Sequence, residues 1–195
     1  LPLLPPPLRR HAAPHRIAES RATSEIASAH AAFEARVVHV PESVAVVFSD
    51  QQITYRILNE HANQLAHYLI GCGVEGGTTV GVCAGPGPDR VVGMLAVLKA
   101  GGACLPLDPS DDDARLKAIV AQAQPQGLKH RLESFSCKLV PFERSEDEIA
   151  SLQKTNPSQW ERPEQVAYID TSSGKPVPTS HRTASCRLDA LQEQF

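Results

Sequence analysis

The stretch Leu-Lys-Ala-Gly-Gly-Ala-Cys-Leu-Pro-Leu-Asp, residues 98–108, decides the fold of this chain. An apolar helical pattern with Val91 and Leu95 on one face runs into it and stops at a pair of glycines, Gly101 and Gly102. Glycine adopts the left-handed conformation that ends many helices without a Cβ penalty. Residues 103–107 are almost wholly apolar and an Asp-Pro turn follows them, which predicts a strand buried on both faces of a parallel sheet.

Helical and strand patterns alternate on both sides of this stretch. Before residues 98–108 they predict a helix from Arg21 to His39, strands at Val44–Phe48 and near Ile53, a helix with Thr54 as its N-cap, and a strand from Thr79 to Cys83. After residues 98–108 they predict a helix that follows residues 111–113, short strands at 126–130 and 138–141, and a helix from Ser145 to Lys154. The last predicted elements are a strand from Val166 to Ile169 and a helix after residues 180–182. Three successive strand–helix units predict an α/β fold with a layered, mostly parallel sheet flanked by helices.

Composition and charge exclude several classes of protein. The net charge is −3 and the basic residues are scattered, so no basic stripe indicates a nucleic-acid partner. No apolar run approaches the roughly 20 residues that span a bilayer. The leading residues 1–8 are too short and proline-rich for a signal peptide. We therefore expect a cytoplasmic protein without a membrane partner.

The cysteines predict free thiols. There are five of them, an odd number, at positions 72, 83, 104, 137 and 186. They form neither a Cys-x-x-Cys pair nor a metal-ligand spacing, so a closed disulfide framework is not indicated.

The first 22 residues predict a proline-rich linker, and residues 23–195 predict the folded domain. Residues 1–10 have the composition of an extended polyproline segment. Its single Pro-x-x-Pro, Pro2 to Pro5, lacks the arginine that basic-flanked peptide ligands use. A linker is favoured over a peptide ligand.

Two glycine-rich segments resemble nucleotide-binding loops. Residues 71–76 match Gly-x-Gly-x-x-Gly, but they follow a predicted helix and precede a strand, the reverse of a dinucleotide site. Residues 85–88 follow a strand, but two prolines there remove backbone donors that a phosphate would need. Structural turns are favoured at both places. A dinucleotide-binding protein remains an alternative that saturable NAD binding would support.

A run of three acids, residues 111–113, could suggest a metal site. The run lies just before a predicted helix, where acids complement the positive end of the helix dipole. The helix interpretation is favoured, and we assign no metal site.

Residues 98–108 also resemble the second core motif of the adenylation domains of nonribosomal peptide synthetases, which are adenylate-forming ligases. Cys104 stands where the motif has an aromatic residue. Further matches to the start of such a domain are residues 33–36, 44–48, 53–56 and 58–69. The resemblance covers most of the chain from about Ile26. It implies that residues 23–195 are a truncated N-terminal part of an adenylation domain, within the large N-terminal subdomain.

Residues 166–176 resemble the third core motif of that family, the phosphate-binding loop. The residues that this implies for ATP binding are Thr171, Ser172, Ser173, Gly174 and Lys175. The copy departs from the family pattern: two residues are missing between Ser172 and Gly174, Asp170 replaces a tyrosine, and Val177 replaces a lysine. An ionised Asp170 would repel a triphosphate. An ordinary polar turn is the alternative.

Two further features lie next to this loop. The Gly-Lys pair is followed by Pro176 instead of serine or threonine, so it is not a Walker loop. Among the eight histidines, His181 has the best case for a role because it follows the loop. A surface histidine at the start of a helix is the favoured interpretation.

The resemblance implies an activity for the parent enzyme. An amino-acid carboxylate would attack the α-phosphate of ATP, with Mg²⁺, and the aminoacyl adenylate would be transferred to the thiol of a carrier protein. Neighbouring synthetase domains would be partners. In the family the other substrate-binding segments and the catalytic lysine follow later, so no catalytic residue is assigned and the isolated chain is expected to be inactive. The alternative is a non-catalytic remnant or a protein-interaction module that retains the α/β scaffold.

Overall fold

A computed structural model describes residues 28–123, 146–158, 163–172 and 175–192. The elements are α1 (Ala29–His39), β1 (Val44–Phe48), β2 (Gln51–Thr54), α2 (Tyr55–Gly71), β3 (Thr79–Cys83), α3 (Pro88–Lys99), β4 (Ala103–Leu107), α4 (Asp113–Ala123), α5 (Glu146–Ala150), β5 (Val166–Asp170), β6 (Val177–Ser180) and α6 (His181–Gln192). The predicted linker, the predicted strands at 126–130 and 138–141, and Cys137 lie outside the described residues.

The main sheet has four strands in the order β3-β4-β5-β6. The first three are parallel, and β6 pairs antiparallel with β5. A separate antiparallel pair is formed by β1 and β2. The predicted α/β fold with a mostly parallel sheet is confirmed, whereas β6 was not anticipated.

Residues 98–108 have the predicted structure, a helix end followed by a strand. Gly101 has a φ of 79° after the last turn of α3, and the Gly102 amide donates to the Val97 carbonyl at 2.9 Å. This is the left-handed end that only glycine adopts without strain. A Cβ on Gly102 would lie 3.1 Å from the Thr78 carbonyl oxygen, so the close approach of the chain also favours glycine there.

Helices cover both faces of the sheet. Side chains alternate between the faces of a strand, so neighbouring residues of β4 enter different cores. Cys104 packs with apolar residues of α2 and α3, while Leu105 packs with Leu116 and Ile119 of α4. The predicted core residues of α2, which are Leu58, Ala62, Leu65 and Leu69, are all buried.

Two predicted helices have different limits. Ser28 is extended, with a ψ of 158°, and its side chain accepts from the Ala31 amide at 3.3 Å, so α1 begins after this N-cap and not at Arg21. The helix predicted from 145 to 154 is only α5. Beyond it the Lys154 carbonyl accepts from the Asn63 side chain at 2.7 Å, because this segment runs along α2 and bonds to its side chains. Within the described residues, every helix is too short or too polar to cross a membrane.

Candidate functional site

The candidate site lies at the edge of the sheet where the three parallel strands end. Cys83 of β3 is in register with Leu107 of β4, and β5 runs in the same direction beside them. In parallel sheets the segments that follow the carboxyl ends of the strands therefore meet at one edge, where ligands commonly bind. The three segments here are the turn at 85–88, the turn after Asp108, and the loop after Asp170.

Arg90 joins the first two segments. Its Nε donates to the Ala84 carbonyl at 2.8 Å and its Nη2 to the Leu107 carbonyl at 3.5 Å. The same nitrogen lies 3.9 Å from Oδ2 of Asp108. This residue was not predicted from the sequence, although its position two residues after the 85–88 segment is a signal that could have identified it.

The loop predicted to bind phosphate connects two strands of a hairpin. Asp170 pairs with Val177, so residues 171–176 are the connection between β5 and β6. Thr171 is half-buried, and Ser172 and Lys175 are exposed at this edge. The other two predicted site residues, Ser173 and Gly174, lie outside the described residues.

Asp170 makes this loop a poor fit for a triphosphate. Its Oδ1 accepts from the Ser172 amide at 2.9 Å. Hydrogen bonds from Ser172 lower the pKa of the Asp170 carboxyl, and the nearby charge of Arg187 lowers it further. The carboxylate is thus ionised at neutral pH, as expected for repulsion of phosphate. It also occupies a backbone donor that a bound phosphate would need.

A second arginine lies beside the hairpin. Arg187 of α6 donates from Nη1 to the Tyr168 hydroxyl at 2.7 Å and is exposed. This contact was not predicted from the sequence, because the two residues meet only once α6 folds back along β5.

Gln165 connects the base of the β5–β6 hairpin to residues 98–108. Its Nε2 donates to the Gly101 carbonyl at 2.6 Å, and its own carbonyl accepts from the His181 amide at 3.0 Å. The end of α3, the start of β5 and the start of α6 therefore meet at one residue. No sequence signal marked this residue.

His181 is not the surface histidine that the sequence favoured. Its exposed fraction is 1%, and its ring lies edge to face with that of His30, with centroids 5.8 Å apart. Because β6 runs directly into α6, the first residue of the helix is turned inward against α1. Burial lowers the pKa of His181.

The other candidate motifs have structural roles. In the segment 71–76 the Val74 amide donates to the Leu69 carbonyl at 3.0 Å, which makes it the predicted helix-ending turn. In the segment 85–88 Gly87 has a φ of 150° and packs against Phe48. Asp112 accepts from the Arg115 amide at 2.7 Å and so caps α4.

The structure shows no disulfide among the described cysteines. Cys83 and Cys186 are exposed, Cys72 is half-buried and Cys104 is buried. Burial raises the pKa of Cys104 to about 12. In the described parts of the chain, groups of three or more histidine, cysteine or acidic residues that could hold a metal are absent.

Comparison with known proteins identifies relatives among large synthetases. The chain is 35% identical over 165 residues to a linear gramicidin synthase of Brevibacillus parabrevis, an alignment that covers 79% of this chain and 2% of the synthase. It is 33% identical over 178 residues to a plipastatin synthase of Bacillus subtilis strain 168, covering 85% of this chain and 5% of that protein. The chain thus spans a small fraction of these relatives.

Solved structures share the fold. The nonribosomal peptide synthetase FmoA3 in its α-methyl-L-serine-AMP bound form superposes with a TM-score of 0.73 at 24% identity, over 87% of this chain and 19% of that chain. The N-terminal subdomain of Klebsiella oxytoca NpsA superposes with a TM-score of 0.62 at 22% identity, over 81% of this chain and 43% of that chain.

The family model for AMP-binding enzymes matches residues 33–194, which include residues 98–108 and the β5–β6 hairpin. The resemblance to adenylation domains of nonribosomal peptide synthetases is confirmed by these matches. The chain belongs to the AMP-binding enzyme family.

Proposed function

We propose that this chain is the first part of the ATP-binding subdomain of an amino-acid adenylation domain. The parent enzyme would activate an amino-acid carboxylate as an aminoacyl adenylate, with ATP and Mg²⁺, and transfer it to a carrier-protein thiol. The observation that supports this most strongly is the family match over residues 33–194, combined with a hairpin loop at the carboxyl edge of the sheet. Residues 23–195 belong to that domain in this proposal, and residues 1–22 are a linker from a neighbouring synthetase domain.

The site residues in this proposal are Thr171, Ser172, Ser173, Gly174 and Lys175. Small and hydroxylated residues let backbone amides approach phosphate oxygens, and a lysine adds positive charge. The Asp170 carboxylate opposes such binding in the chain as it stands. The chain alone is therefore proposed to bind ATP weakly and to lack adenylation activity.

The assay that tests inactivity is amino-acid-dependent exchange of labelled pyrophosphate into ATP. We expect a rate equal to that of a blank without protein. A rate clearly above the blank for any amino acid would overturn this part of the proposal.

The test of the parent function is the gene sequence that flanks the region encoding the chain. Continuation in frame into the remaining adenylation motifs supports a ligase in the cytoplasm that works with a carrier protein and adjoining synthetase domains. A stop codon directly after Phe195 would overturn the proposal that a ligase is made from this gene.

An interaction module is the second candidate, because apolar side chains are exposed on the β1–β2 pair. Val47 is 64% exposed and Phe48 is 41% exposed. Exposed apolar groups that lie together often mark contact surfaces. Sedimentation at increasing protein concentration tests this candidate. Self-association of the chain would support it, and a constant monomer mass would count against it.

A further inference from the structure

Two buried histidines from distant parts of the sequence meet in the interior. His30 lies in the first turn of α1 and is 8% exposed, and His181 is the first residue of α6 and is 1% exposed. The rings are in edge-to-face contact, with an interplanar angle of 79°. This contact joins α1 to the point at which the β5–β6 hairpin enters α6.

The surroundings of the pair suit neutral rings. Within the described residues neither ring nitrogen of His181 has a hydrogen-bond partner. The Ser28 hydroxyl lies 3.4 Å from both ring nitrogens of His30, which is the outer limit for a hydrogen bond. If His181 were protonated its ring would carry two N–H donors, and a buried donor without an acceptor is unfavourable.

The charges around the pair also oppose protonation. Lys99 of α3 faces His30, and Glu34 of α1 is engaged in an ion pair with Lys99. From α2 Tyr55 reaches this region through its ring contact with Phe33. Arg182 on α6 is paired with Glu164 at the surface.

The titration behaviour follows from this environment. Burial lowers the pKa of His30 to about 3, and smaller contributions come from the charge that His181 would carry if protonated and from the charge of Lys99. Burial also lowers the pKa of His181. Both rings are thus neutral in the folded protein near neutral pH.

We propose that His30 and His181 form an acid-sensitive latch that holds the start of α6, and with it the β5–β6 hairpin, against α1. When the pH falls, protons bind more readily to these rings in water than in the interior. Acid therefore favours states in which α1 and α6 have separated. The proposal depends only on this contact and not on the enzymatic function proposed above.

The direction of the pH effect is set by the lowered pKa values. A group with a folded pKa below its unfolded value of 6.5 stabilises the protein fully above that value, and this stabilisation is lost as the pH falls toward the folded pKa. Between pH 7.5 and 5.5, each ring that stays neutral in the folded state raises the unfolding equilibrium constant about tenfold. His30 therefore gives about tenfold, and His181, whose pKa is also lowered, adds to this factor.

The experiment compares urea unfolding at pH 7.5 and 5.5 for the whole chain and for His181→Phe, which keeps an aromatic ring but cannot be protonated. The unfolding constant of the variant should rise about tenfold through His30, and that of the wild-type chain should rise further because His181 adds to the effect. His61→Gln, an exposed histidine on α2, is the matched control and should behave like the wild type. An equal rise in the wild type and His181→Phe would overturn the proposal.

A second measurement uses only the wild-type chain and so does not require the variant to fold. Histidine ring resonances are followed by NMR from pH 8 to 5, and the pair is identified by the nuclear Overhauser contact between the two rings. The proposal requires the pKa of both rings to lie below the ordinary value of 6.5, with His30 neutral at pH 5.5. Titration of either ring with a midpoint near 6.5 would overturn it.

Discussion

The fully buried side chain of Lys99 forms an ion pair with Glu34, which links the end of α3 to α1. The same ammonium lies 3.3 Å from Oδ1 of Asn156 and 6.0 Å from the centre of the Phe33 ring. A buried charge is tolerated only when it is paired and hydrogen-bonded. Lys99 belongs to residues 98–108, so the ion pair links this stretch directly to α1.

Replacement of this lysine should therefore be costly. Lys99→Ala removes the partner of Glu34 and leaves a cavity beneath α1, and we expect the free energy of unfolding to fall by about 3 kcal/mol. Urea denaturation monitored by circular dichroism measures the loss. Lys117→Ala, which removes an exposed lysine on α4, is the control and should change little. Equal effects of the two variants would contradict the role of the ion pair.

The glycine at position 93 is predicted to be irreplaceable by alanine. A Cβ there would lie 2.9 Å from Cγ1 of Val82, inside the contact between α3 and β3. We expect Gly93→Ala to destabilise the chain by about 1–3 kcal/mol, because the packed strand must shift. Gly71→Ala is the control, since a Cβ at that helical position meets nothing within 4 Å. The melting temperatures of the two variants test this prediction. Equal melting temperatures would show that the contact between α3 and β3 accommodates the added methyl group.

Gln165 is predicted to hold the hairpin in place. Gln165→Ala leaves the Gly101 carbonyl without this donor, and an unsatisfied carbonyl costs about 1–3 kcal/mol. Hydrogen exchange should show faster opening of β5 and β6 than of α2. Gln52→Ala, at an exposed position of β2, should leave the exchange unchanged. Unaltered protection of β5 in Gln165→Ala would refute the prediction.

Asp170 is predicted to weaken phosphate binding. Asp170→Asn retains an oxygen that can accept from Ser172 but removes the negative charge, and we expect the dissociation constant for tripolyphosphate to fall about fivefold. Isothermal titration at low salt measures it. Asp50→Asn, in the turn between β1 and β2, controls for the change in net charge. An identical gain in both variants would mean that only overall charge matters.

The cysteines should differ in reactivity. The thiolate is the reactive form, and burial raises the pKa of Cys104 to about 12. Iodoacetamide at pH 8 should therefore label the exposed Cys83 and Cys186 in the folded chain and label Cys104 only in urea. Peptide mass mapping reads out each site. Rapid labelling of Cys104 without denaturant would show that β4 is accessible.

The sequence predicted those parts of the fold that depend on local signals. The N-cap at Thr54, the left-handed glycine after α3 and the apolar residues of β4 each act within a few residues, and the structure has all three. The order of helices and strands then limits the sheet to a mostly parallel one.

The missed features arise from contacts between distant segments. Residues 177–180 contain a proline and few apolar residues, so their pairing with β5 at the sheet edge carries no local pattern. His181 is buried because α1 packs over it, and α1 lies far earlier in the chain. For the site, the sequence predicted the loop after β5, but the contacts of Arg90, Gln165 and Arg187 depend on the assembled sheet.

The two halves of the main sheet differ in how far the chain must travel to form them. The chain between β3 and β4 contains a single helix. The pairing of β4 with β5, through Cys104 and Tyr168, joins residues that are much farther apart in sequence. Contacts between residues close in sequence form faster than those that close long loops. During synthesis the β3-α3-β4 unit can therefore assemble while β5 is still inside the ribosome, and the edge of β4 waits unpaired until the hairpin emerges.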